Sequence, residues 1–251
     1  MIKFINDFFN TATFLTRLPL PVIYPARLRV SFFPLVGILL GLITYLLALT
    51  LQFFFPIKIA AVLILIIYIF LTGGLHLDGF GDFLDGFFAN RAQKETIAIM
   101  HDSNTGIFAV VGLILLLLLK FLLFEQLILQ GKLEILLIMP VLARFVLTLM
   151  VARAKVAAES IMAAALHKNF TAKELRLSLI ITIIFLVIFV LTFSYFLIEL
   201  FFLAVALSLS LLLVYLLEKW AVKKAGGITG DIYGTLVELS ELLILFTALM
   251  T

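Results

Sequence analysis

Between Ile107 and Phe124 the chain reads IFAVVGLILLLLLKFLLF, eighteen residues in which Lys120 is the only charge. A run of that length and apolarity suits a helix crossing a bilayer and is too long for a barrel strand. Comparable runs cover about Phe33–Phe55, Ile57–Thr72 and Leu133–Val151. Two more fill Leu177 to Leu217, divided near Tyr195–Glu199, and a last, acid-bearing one covers Ile232–Met250. The whole chain is 65% hydrophobic and 13% charged, against about 45–50% and about 25% for a soluble domain. The expected fold is therefore all-α: a polytopic integral membrane helical bundle of about seven transmembrane helices, one domain over residues 1–251. There is no internal repeat and no room for a sizeable soluble domain. Cysteine is absent, which excludes disulfides and thiolate metal sites.

Residues 1–18 lack the pattern of a signal peptide. Lys3, Asn6, Asp7, Asn10 and Arg17 share one helical face, with Ile5, Phe8, Phe9, Ala12 and Leu15 opposite. That predicts an amphipathic helix in the membrane interface, ended by Pro19 and Pro21. Of the 18 Lys and Arg residues, 14 fall before the first run and in alternate connections after it. The positive-inside rule places these segments, and the N-terminus, on the cytoplasmic side.

Those polar segments carry the chemistry. In Gly73–Gly86, GGLHLDGFGDFLDG, Asp78, Asp82 and Asp85 stand at i, i+4 and i+7, on one face if the stretch is helical. Carboxylates so placed repel unless protons or cations neutralise them, and hard cations such as Mg2+ suit oxygen ligands plus substrate phosphates. The glycines suggest a partial turn that admits a ligand close to the backbone. His76 lies about 160° from Asp78 on an ideal helix, so it joins the site only if the start is not helical. The second segment is His101-Asp102-Ser103-Asn104-Thr105-Gly106. Asp102 or Ser103 is expected to cap the following helix, whose N-terminus suits a phosphate. The third is Gly226-Gly227-Ile228-Thr229-Gly230-Asp231, whose glycines suit phosphate cradling by backbone N–H groups. Glu238 and Glu241 then lie inside an apolar helix and call for a counter-charge, for which Arg144 is a candidate. Thr171-x-x-Glu174 reads as a capping box, and His167 as an ordinary interfacial residue. Three such segments at one membrane edge suit a nucleotide diphosphate held through a divalent metal, and hence phosphoryl transfer with an aspartate as base.

FLTRLPLP (14–21), SFFPLVGILLG (31–41), TGGLHLDGFGDFLDG (72–86), MHDSNTGIFA (100–109) and GGITGDIYGTLVELSE (226–241) together resemble the cobalamin synthase family, in the family's order and over nearly the whole chain. The resemblance implies a membrane enzyme that joins adenosylcobinamide-GDP to alpha-ribazole, or its 5'-phosphate, and releases GMP with Mg2+. It implies Asp78, Asp82, Asp85 and Asp102 as catalytic, the first three holding the metal. His76, Arg91, Ser103, Arg144, Gly226, Gly227, Gly230 and Asp231 are the expected substrate contacts. His101 and Asn104 stand where the family pattern has Lys and Arg. If those basic residues touch phosphate in relatives, a protonated His101, or Arg91, Lys94 or Arg153, must compensate. Homo-oligomerisation is compatible with this reading, and no nucleic-acid partner is expected. The rival readings are a cation-coupled secondary transporter, which often shows repeats that are missing here, and a CDP-alcohol phosphotransferase-like enzyme, whose aspartate spacing differs.

Overall fold

Proline and glycine decide where this chain turns. The computed structural model describes residues 2–22, 24, 27–168, 170–193 and 197–250. Helix α1 (Ile2–Leu15) is followed by a loop and a 3-10 turn at Val30–Phe32, which runs into α2 (Phe33–Phe54). Pro34 sits in the first turn of α2, where its missing N–H costs nothing. Pro56 separates α2 from α3 (Ile57–Thr72). Gly73 and Gly74 both adopt left-handed backbone, φ 64° and 68°, and turn the chain by 89° into α4 (Leu75–Ala89). There follow α5 (Gln93–Met100), α6 (Ile107–Leu129), α7 (Ile135–Arg153), α8 (Ile161–Lys168), α9 (Ala172–Phe193), α10 (Leu197–Lys224) and α11 (Gly230–Ala248). The expected division near Tyr195–Glu199 falls partly on residues 194–196, outside the described residues.

The all-α membrane bundle holds, but the expected count of about seven spans does not. Among the described residues five helices are long and apolar enough to cross a bilayer, or six if α3 and α4 form one bent span. Helix α11 is not one of them; it carries Asp231, Glu238 and Glu241 within 19 residues. Because α4 leaves α3 at 89°, the two do not continue as one straight span.

Helix α1 buries residues of both predicted faces, Ala12 and Leu15 from the apolar one as well as polar ones. Its polar residues Asp7, Asn10 and Thr11 are buried against the protein, while Ile2, Phe4 and Ile5 are exposed. Lipid at the interface is the natural cover for those apolar side chains. Glu174 forms no reciprocal cap. Its carboxylate accepts instead from Arg29 Nε at 3.0 Å and from the Ser31 backbone N–H at 3.0 Å.

The bundle centres on α7, buried along most of its length. Gly37 and Gly41 let α2 press against it: a Cβ at either would fall within 2.6 Å of the Pro140 or Leu137 carbonyl oxygen. Small residues four apart are how membrane helices approach closely, since lipid tails compete equally well for large apolar side chains.

An ion network crosses the interior. Lys120 Nζ on α6 donates to Glu238 Oε2 at 2.5 Å and Glu241 Oε2 at 2.7 Å, both on α11. Arg144 on α7 pairs with the other Glu241 oxygen, which also accepts from Tyr68 Oη on α3 at 2.5 Å. Two cations meet two carboxylates, so the buried charge cancels, as a low-dielectric interior requires. Arg144 thus meets Glu241, as the sequence suggested, but the partner of Glu238 is Lys120.

Candidate active site

Two glycines build the site by removing side chains where helices α4 and α11 cross. A Cβ at Gly79 would lie 2.8 Å from Asp231 Cα, and one at Gly234 would lie 2.9 Å from the His76 carbonyl oxygen. This contact sets Asp231, in the first turn of α11, beside the acidic face of α4. Asp78 is exposed and Asp82, Asp85 and Asp231 are partly buried. Burial first, then the charges of Asp78, Asp231 and Asp85, pushes the Asp82 carboxyl up to about 7. Burial also raises Asp231, against a hydrogen bond with Thr229 Oγ1 at 3.1 Å and the positive field of His101. Among the described residues no Lys or Arg pairs with any of these four carboxylates. Nor do three acids or histidines converge into a ready-made metal cage.

The first and third segments therefore meet, but not every residue in them faces the site. The acidic stretch is helical from Leu75 onward, with its turn confined to Gly73 and Gly74. Asp85 has a separate occupation: its two oxygens accept from the Gly106 N–H at 2.7 Å and the Ala109 N–H at 3.0 Å. It thereby caps the start of α6, the role expected of Asp102 or Ser103, and does so with a carboxylate. Asp102 stays exposed, and hydrogen bonds from the Asn104 backbone N–H at 2.9 Å and Nδ2 at 2.8 Å hold its carboxyl below the usual range. Asp85 and Asp102 line one open cavity of 390 Å³. Ser103 and Arg91 are exposed.

The glycine segment also divides. Gly227 packs its backbone on Val156 and Ala157, and the N–H groups of Gly227 and Ile228 already donate to the Ala221 and Lys155 carbonyls. Gly226, at φ 71°, packs against Gln93. These two form a turn that docks on the 155–157 segment through a single bridge between Val156 and Ile228, and the N–H groups of Gly227 and Ile228 are committed within the protein rather than cradling a phosphate. Gly230, in contrast, lines a cavity of 70 Å³ together with His76, Asp78 and Asp231. His76 reaches this cavity even though its helix is regular. Its Nδ1 lies 3.5 Å from an Arg144 nitrogen, which joins the ion network to α4. Arg144 itself has no exposed surface, so the structure places it behind the site rather than at the surface a substrate meets.

The family model described as cobalamin-5-phosphate synthase matches residues 7–249. The chain belongs to this family. Among similar proteins, the adenosylcobinamide-GDP ribazoletransferase of Clostridium tetani is 32% identical over 99% of each chain. That of Clostridium botulinum is 30% identical over 100% of each, and that of Thermoanaerobacter pseudethanolicus 32% over 91% of each. No solved structure matches the chain. The cobalamin-5-phosphate synthase match takes in every motif segment from Phe14 to Glu241.

Two features of this family member escaped the sequence. Lys120 was legible only as a lone intramembrane charge, a signal that calls for a buried partner without naming it. His167 Nε2 lies 2.7 Å from Tyr233 Oη, and Tyr233 lines the same cavity as Asp78 and Asp231. Nothing local in the sequence links residues 66 positions apart.

Proposed function

We propose that this protein transfers the adenosylcobinamide-phosphate group of adenosylcobinamide-GDP to alpha-ribazole or its 5'-phosphate. GMP is released and adenosylcobalamin, or its 5'-phosphate, is formed. The hydroxyl oxygen of the acceptor attacks the phosphorus on the cobinamide side. The bond from that phosphorus to the bridging oxygen breaks, GMP leaves with that oxygen, and the hydroxyl proton passes to one of the aspartates. The observation that carries this reading is the meeting of Asp78, Asp82 and Asp231 with no basic partner. Burial, and then the charges of Asp78, Asp231 and Asp85, hold Asp82 at about 7; the group lacks a positive charge, and a divalent cation supplies one.

One or two of Asp78, Asp82 and Asp231 would hold Mg2+, which commonly keeps several waters and takes one or two carboxylates plus substrate phosphates. The absence of a closed cage fits that mode. When bound, the cation offsets charge developing on the phosphoryl oxygens. Asp85 fixes the 102–106 loop against α4, and Asp102 and Gly230 face the substrate. The basic connections put this edge of the bundle in the cytoplasm of a prokaryotic cell.

The test is GMP release by the detergent-solubilised protein given adenosylcobinamide-GDP and alpha-ribazole, with and without Mg2+. Release that needs both substrates and the metal supports the reading and requires no second compartment. Absence of release from folded protein with either acceptor would sink it.

A further inference from the structure

A second polar cavity, of 290 Å³, lies away from the aspartates, where α1, the 27–30 loop, the end of α8 and the start of α9 meet. Three cations line it: Lys3, Arg27 and Arg29. Glu174 occupies Arg29, with Oε1 at 2.5 Å from Nη2. Lys3 and Arg27 have no carboxylate partner among the described residues. Asp7 also lines the cavity; it is 6% exposed, and no hydrogen bond or ion pair reaches its carboxylate among the described residues. Its carboxylate opens onto the cavity, where a ligand that brings a hydrogen-bond donor can reach it.

The position says which ligand is within reach. The spans beginning at Val30 and at Ala172 both start at this cavity, so it sits at the depth of the lipid headgroups. Helix α1 turns its polar face into the cavity and leaves Ile2, Phe4 and Ile5 exposed beside it. Basic pockets between membrane helices on this side bind lipid headgroups. We infer that this cavity binds the headgroup of an aminophospholipid, its phosphodiester held by Lys3 and Arg27 and its primary ammonium by Asp7. A phosphate alone would leave Asp7 without a donor. A quaternary ammonium cannot donate a hydrogen bond to it.

The full-length protein in delipidated detergent micelles is titrated with phosphatidylethanolamine, phosphatidylcholine and inorganic phosphate, and binding is read by native mass spectrometry and thermal shift. The wild type should prefer phosphatidylethanolamine over phosphatidylcholine by about tenfold, the loss expected for one charge-assisted hydrogen bond. Asp7→Asn should erase that preference while still binding both lipids, and Lys3→Ala/Arg27→Ala should weaken both. Folding of each variant is checked by its unfolding temperature without lipid. Equal binding of the two lipids by the wild type overturns the proposal. So does inorganic phosphate that competes at the same concentration as the lipid. A rise in KM for ribazole 5'-phosphate in Lys3→Ala/Arg27→Ala, with lipid binding unchanged, would assign the cavity to the acceptor and also overturn it.

Discussion

Helix α11 carries two groups of acids that meet opposite fates. At Glu238 and Glu241 every carboxylate faces a cation, Lys120 or Arg144, and the group is sealed. Two turns earlier, Asp231 joins Asp78 and Asp82 with no Lys or Arg partner among the described residues, at an edge open to solution. The same side-chain chemistry thus serves structure where charge cancels and function where it does not. Surplus charge that the protein declines to neutralise marks where a ligand completes the site.

Separate substitutions can break that contrast. Asp82→Asn should lower GMP release by about 1,000-fold or more, the scale of losing electrostatic stabilisation in phosphoryl transfer. Its thermal unfolding should not fall below wild type, because no cation is left behind. Glu241→Gln should do the reverse. It leaves Arg144 without a carboxylate while Lys120 keeps only Glu238, and breaking one side of a buried pair costs about 3–5 kcal/mol. Unfolding temperature and yield of folded protein measure this. Gly79→Ala should come next: its Cβ would meet the Asp231 backbone at 2.8 Å, pushing α4 from α11. Overpacking of this kind costs about 1–3 kcal/mol, and the Mg2+ concentration giving half-maximal release should rise with it.

The smallest effect concerns pH. Asp82 has its folded value raised to about 7, so protonation favours the folded state. Without divalent cation, stability should fall as pH rises from the ordinary carboxylate range through about 7. Added Mg2+ should reverse that trend at the alkaline end, since the ionised form binds it. A melting series against pH, with and without Mg2+, reads both arms, and Asp82→Asn should flatten the difference between them.

How much of this was legible depended on whether the signal was local. The i, i+4, i+7 aspartates and the long apolar runs announced α4 and the membrane bundle, because periodicity and length are properties of one segment. The 89° break came from a glycine pair that the sequence displayed, but its placement at the first two residues, with the rest helical, required the α4–α11 packing. Gly226 and Gly227 looked like a phosphate cradle, but the Gly227 N–H donates to the Ala221 carbonyl and the neighbouring Ile228 N–H to that of Lys155, partners that nothing in the glycine motif announces. The network of Lys120, Arg144, Tyr68 and Glu241 spans four helices, and only packing sets such partners. The mixed burial of α1, Asp7 and Asn10 together with Ala12 and Leu15, has the same origin, since amphipathicity shows that a helix has two sides without saying which residues meet protein.

The most direct measurement is Mg2+-dependent GMP release by Asp82→Asn, made on protein whose unfolding temperature is no lower than that of wild type. Release at background at every Mg2+ concentration is the expected result. Wild-type turnover at saturating Mg2+ would contradict the claim that the unpaired aspartates between α4 and α11 are where the diphosphate is held and cleaved.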